Sequence, residues 1–190
     1  IRDFRRSRGL GDVYTSQSFV YKAIAESETL AMGTCLARAT FQDTDLRLEQ
    51  INELGCLSTG AVIFLQGDLG AGKTTFARGF LRGYGFQGAV KSPTYTIVEP
   101  YEFEHCNIFH FDLYRLGMPE EAAYLGIEEY VREETICLVE WPERGRGWLP
   151  LPDITITLSV SGTGREFSWR GHTPKGCKAA ERLWEFRRNL

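Results

Sequence analysis

The stretch GDLGAGKTT, Gly67 to Thr75, sets two glycines, a lysine and a threonine at the spacing G-x-x-x-x-G-K-[ST]. Glycines so placed let successive backbone N–H groups turn inward around an anion, and a helix starting there adds its positive end. Lys73 would then reach the β- and γ-phosphates of a nucleotide, and the Thr74 hydroxyl would bind Mg²⁺. The flanks agree: apolar AVIFLQ precedes the loop, and FARGFLRGYG follows it with helical spacing. Strand, loop and helix in that order are what a P-loop requires. Gly67, Asp68, Leu69, Gly70, Ala71, Gly72, Lys73, Thr74 and Thr75 together form the expected phosphate cradle.

A phosphate-bound metal also needs an acid where a buried strand ends. Two residues qualify. Glu140 closes CLVEW, a Walker B pattern with Glu in place of Asp, and Asp112 lies within FHFDLYR between large apolar neighbours. Either one alone has an ordinary explanation as a salt-bridged structural carboxylate; beside a P-loop, the metal or catalytic role comes first for both. Ser92, Thr94 and Thr96 of KSPTYT follow the P-loop helix, where nucleotide switches keep a hydroxyl that senses the γ-phosphate and metal. A plain Ser/Thr-rich turn before a strand reads nearly as well. His110, two residues from Asp112, reads as a packed, hydrogen-bonded histidine ahead of a catalytic one. Trp141 emerges beside the nucleotide either as core or as a contact for base or partner.

The elements that must position these groups follow from periodicity. Apolar residues at 30, 32, 35, 36 and 39 predict a helix over 27–39, and the polar stretch 41–60 is a long connection with room for a helical turn. TYTIV ahead of Pro100 predicts a strand, as does the alternation of Ile108, His110 and Asp112 against Phe109, Phe111 and Leu113. Pro119 and the acids after it predict a helix start. TICLVEW, continuously apolar, predicts a strand buried on both faces. DITITLSV and GREFSWRG straddle SGTG as a hairpin, and KAAERLWEFRRNL predicts a terminal amphipathic helix. Strands and helices mix as an α/β core with added antiparallel strands.

Length and composition set the frame. A chain of 190 residues suits one domain with a full core and is short for two. The expected division is a flexible tail over 1–20, a P-loop domain over 21–171, and a C-terminal helix over 172–190 packed on that domain. No apolar run approaches the ~20 residues that cross a bilayer. IRDFRRSRGLGDVY lacks the apolar segment of a secretory signal, so a cytoplasmic location is expected. Five cysteines without a C-x-x-C pair point to reduced, mostly buried thiols rather than disulfides or zinc. The net charge of −3 covers basic ends and an acidic body, and the acidic body is a poor platform for nucleic acid.

Taken in order and spacing, GDLGAGKTT, KSPTYTIVEPY, HFDLYRL and LVEWPERG closely resemble the TsaE family, small bacterial P-loop ATPases required for the threonylcarbamoyl adenosine modification of transfer RNA. The resemblance leaves out residues 1–20 and the C-terminal segment, and 41–60 looks like an enlargement. It implies a three-layer α/β P-loop NTPase fold with a central, mostly parallel sheet and added antiparallel strands. It also implies a Mg²⁺-dependent ATPase, weak alone, that works with the transferase subunit TsaD and its partner TsaB and meets tRNA only through that complex. Carried over by motif, Lys73 and Thr74 bind phosphate and Mg²⁺, and Ser92 and Thr94 belong to a switch-like loop. Asp112 and Glu140 are then the acids, with Trp141 a functional aromatic. The division expected between the acids is Glu140 holding Mg²⁺ through water and Asp112 positioning the attacking water or the metal. The competing readings are a small-molecule kinase using Arg115, Arg144 or Arg146, and a nucleotide-gated switch whose basic C-terminal helix contacts RNA. No Asn-Lys pair of a guanine-reading N-K-x-D motif occurs, which favours ATP.

Overall fold

The computed structural model describes residues 17–41, 60–104, 106–132 and 134–190. The expected connection over 42–59, with Cys56, and the first sixteen residues of the expected tail lie outside them. The end of that tail does not behave as one: Ser18–Ala23 forms strand β1, paired antiparallel with a strand near the C-terminus.

Four strands make the parallel heart of the sheet: β2 (Ala61–Gln66), β4 (Asn107–Asp112), β5 (Thr135–Glu140) and β6 (Ile154–Ser161). With β3 (Val98–Glu102) and β7 (Gly164–Gly171) the order is β1-β7-β6-β2-β5-β4-β3. The added strands are antiparallel, β3 on one edge and the β7–β1 pair on the other.

The sheet is covered on both faces, and alternation along each strand says which side chain goes where. Ile63 and Leu65 of β2, Ile108 of β4, and Ile136 and Leu138 of β5 share one core with three helices: α1 (Glu26–Ala39), α2 (Lys73–Gly83) and α3 (Pro174–Phe186). Val62, Phe111, Cys137 and Val139 face the other way, against Leu116, Ala122 and Ile127. All six residues of β5 are buried, as its unbroken apolar run predicts. Complete burial of Phe76 and Phe80 on α2 contributes on the order of 2–3 kcal/mol each, upper-bound values that anchor the helix behind the loop.

Helices α1 and α2 cross with their backbones nearly in contact. A Cβ on Gly79 would press on the Leu30 backbone, with its Cα at 2.9 Å, and the Thr34 hydroxyl donates to the Gly79 carbonyl at 3.0 Å.

Three local expectations change. The strand predicted at TYTIV begins only at Val98, because Thr94–Thr96 is a turn and Ile97 holds a left-handed φ of 67°. Pro100 then falls inside β3, which an edge strand tolerates. The helix at Pro119 is two 3₁₀ segments, Pro119–Leu125 and Ile127–Tyr130, separated at Gly126 with its φ of 57°. The terminal helix starts earlier than Lys178, at Pro174, capped by the Thr173 hydroxyl, which accepts from the Gly176 N–H.

Candidate functional site

The loop between β2 and α2 takes its shape from glycines. Gly67, Gly70 and Gly72 have φ of 137°, 78° and 104°, angles a side chain resists. At Gly67 there is no room either, since a Cβ would strike the Leu158 carbonyl. Gly72 is the N-cap of α2, so the loop delivers its N–H groups to the positive end of an 11-residue helix.

Lys73 opens that helix and is almost wholly buried. Its ammonium donates to the carbonyls of Gly67 at 2.6 Å and Asp68 at 2.9 Å, and lies 3.7 Å from the centre of the Trp141 ring. Burial pulls the Lys73 pKa down from its ordinary value; the fields of Glu140, Glu143, Asp112 and Asp68 oppose this. Trp141 reaches the lysine through a left-handed turn, φ 59°, directly after β5, and its ring also leans on Tyr114. A non-glycine residue in that region is strained, and Ile97 is the other described example. Both lie against the acids: Trp141 follows Glu140, and the Ile97 carbonyl accepts from the Asp112 N–H at 2.9 Å.

The two acids end adjacent strands and are both buried, at 3% exposure for Asp112 and 2% for Glu140. Their partners differ. The Thr74 hydroxyl lies 3.0 and 3.1 Å from the two Glu140 oxygens, and His110 Nε2 lies 2.8 Å from Oε1. Asp112 Oδ2 accepts from the Ser92 hydroxyl and, at 2.7 Å, from that of Thr94, while Oδ1 accepts the Tyr114 N–H at 3.0 Å. One carboxylate thus meets the P-loop; the other holds the segment after α2.

These groups line one cleft of about 500 Å³. Leu69, Gly70, Gly72, Lys73, Thr74, Thr75, Ser92, Thr94, Asp112, Glu140 and Trp141 all border it. Gly67, Asp68 and Ala71 shape the loop without lining the space, and Thr96 stays outside. His110 is buried, does not line the cleft, and hydrogen-bonds to Glu140, which does.

Among the lining residues that sequence reasoning passed over are Arg165 and Thr29. Arg165, the second residue of β7, donates to the carbonyls of Ala71 at 2.9 Å, Gly70 at 3.2 Å and Gly164 at 2.9 Å, clamping the loop from the hairpin. Thr29 on α1 is buried, and its hydroxyl has no hydrogen-bond partner among the described residues. Neither carries a local motif; only the fold brings both to the loop.

The donor set suits a hard cation. Thr74, Glu140 and Asp112 offer oxygens, and no cluster of three or more His, Cys, Asp or Glu able to cage a metal occurs among the described residues. That fits Mg²⁺, which takes one or two protein oxygens and fills its shell with phosphate and water.

Comparison with known proteins matches residues 25–167 to the family described as threonylcarbamoyl adenosine biosynthesis protein TsaE. The tRNA threonylcarbamoyladenosine biosynthesis protein TsaE of Haemophilus influenzae is 49% identical over 115 residues, covering 60% of this chain and 73% of that protein. The protein of the same name from Bacillus subtilis is 42% identical over 103 residues, 54% of this chain and 64% of its own length. A crystal structure of Bacillus subtilis YdiB superposes with a TM-score of 0.69 at 26% identity, covering 90% of this chain and 97% of that one. The fold is accordingly that of an α/β P-loop NTPase.

Proposed function

The chain belongs to the TsaE family, and from that premise we propose that it is an ATP-binding and ATP-hydrolysing accessory subunit of the threonylcarbamoyladenosine machinery of tRNA. It acts in the cytoplasm with a TsaD-type transferase subunit and a TsaB-type partner, and meets tRNA through that complex. The observation that carries the reading is the meeting of Thr74 with Glu140 inside a glycine-built phosphate loop.

In this reading the N–H groups of Gly67–Thr75 and the Lys73 ammonium bind the phosphates of ATP, and Thr74 and Glu140 hold Mg²⁺, which supplies charge neutralisation at the phosphates. Thr74 would serve both partners: its hydroxyl donates to Glu140, and the same oxygen would be available as a ligand for the metal. Lys73, now on the Gly67 and Asp68 carbonyls, would exchange these bonds for bonds to the phosphates. Asp112, with Ser92 and Thr94 on one oxygen and Tyr114 on the other, orders the switch-like segment beside the γ-phosphate and the attacking water. Thr29, Arg165 and Trp141 border the remaining cleft and contact the nucleoside end or the partner.

Phosphate release from ATP, measured for the chain alone, with a TsaD–TsaB pair, and for Lys73→Ala, tests this. Slow release that rises with the pair and vanishes in the variant is the expected result. Turnover that ignores the pair and depends on an added small acceptor would instead identify a kinase.

A further inference from the structure

His110 is fully buried on β4, outside the residues that line the cleft, and its Nε2 lies 2.8 Å from Oε1 of Glu140, which does line it. Its other nitrogen, Nδ1, has no hydrogen-bond partner among the described residues. With Nε2 as the donor, the ring gives its one hydrogen bond to the carboxylate, and Nδ1, as a lone pair, leaves no buried N–H without an acceptor. Ile108, His110 and Asp112 share a face of β4 with Ile136, Leu138 and Glu140 of β5, and His110 is the register partner of Leu138, one face-repeat before Glu140. Ile108, Ile136 and Leu138 on that face belong to the core shared with α2, and His110 is itself fully buried.

We infer that His110 is a positioning residue for the metal: its Nε2–H pins Glu140 Oε1, so that the carboxylate presents Oε2 and the Thr74 hydroxyl to Mg²⁺ in one fixed orientation. This rests on the proposed role of Glu140 in holding the metal. Glu140 ends a strand beside a strained residue and has three side-chain torsions to fix; a donor on a neighbouring strand restricts that freedom before the metal arrives. His110 itself touches neither nucleotide nor metal.

The experiment measures ADP affinity by calorimetry in EDTA and in saturating Mg²⁺, and takes the ratio as the metal's contribution. His110→Gln places an amide N–H near the position of Nε2; His110→Asn is equally polar but too short to reach Glu140, and His110→Phe keeps size without a donor. The Gln variant is expected to keep the wild-type ratio within about threefold, and the Asn and Phe variants to lose roughly tenfold or more, with affinity in EDTA unchanged. If the Phe variant loses binding in EDTA as well, it has lost its fold, and the Gln–Asn comparison decides. Wild-type ratios in Asn, or a loss in Gln equal to that in Asn, would overturn the inference. A wild-type protein indifferent to Mg²⁺, unchanged by Glu140→Gln, would instead remove the metal role of Glu140 on which it stands.

Discussion

Asp112 and Glu140 are register partners on the neighbouring parallel strands β4 and β5, so two buried carboxylates end at one level of the sheet. Their hydrogen-bond partners among the described residues differ: Glu140 faces Thr74 and His110, and Asp112 faces Ser92, Thr94 and the Tyr114 amide. Equivalent positions in the sheet therefore hold different parts of the cleft wall, the P-loop helix on one side and the segment after it on the other.

Asp112→Asn is expected to release the Ser92–Thr94 segment while leaving the P-loop intact. Losing charge-assisted bonds worth about 1.5–3 kcal/mol lowers ATP turnover roughly ten- to a hundredfold, with ADP affinity little changed. Hydrogen exchange across 91–97 checks it, and unaltered protection there would disprove the anchoring role.

Arg165→Ala removes a guanidinium that donates to the carbonyls of Gly70, Ala71 and Gly164. The loop then has to be ordered by the nucleotide itself, so calorimetry should find ADP binding weaker by roughly tenfold or more. The melting temperature should move little, because the clamp lies at the cleft and outside the two cores.

Gly79→Ala tests the crossing of α1 and α2. Alanine gains about 1 kcal/mol of helix propensity over glycine, yet its Cβ meets the Leu30 backbone, which cannot swing aside as a side chain would. Net destabilisation of about 1–3 kcal/mol is expected, read as a lower urea midpoint at constant m-value. A rise in the midpoint would mean that the helices do not approach as described.

Cys137 is buried in β5, and burial pushes its thiol up to about 12 from 9.0. The folded state therefore holds the proton that the unfolded chain gives up. This stabilisation is complete below pH 9.0 and is lost as pH rises through about 12. Cys137→Ala should remove one proton's worth of the alkaline fall in stability, and maleimide should label Cys137 only after denaturation, while half-exposed Cys177 reacts in the native protein.

Much of this arrangement could be read ahead because its signals are local. The glycines and lysine of GDLGAGKTT, the alternation in NIFHFD and the apolar run ending at Glu140 each mark an element within a few residues. What failed was decided by distant partners. Thr94 and Thr96 have good strand propensity, but the Thr94 hydroxyl is taken by Asp112 and the chain turns there instead. The start of α3 carries a local signal, Thr173 as N-cap and Pro174 at its first position, although the apolar period that predicts the helix begins only at Lys178. Gly176 is there because a Cβ would collide with the Asp153 carbonyl. Arg165 and Thr29 had no readable signal, since what they do depends on the whole sheet.

The clamp from Arg165 spans 94 residues of sequence to Ala71, and Thr29 reaches the same cleft from the other side of the loop. During synthesis the glycine loop leaves the ribosome long before the hairpin that braces it, and contacts of such separation form late in folding. A nascent chain carrying the complete glycine loop consequently lacks the brace that holds it. On the proposed reading, the loop becomes competent for nucleotide only after the hairpin bearing Arg165 has folded against it.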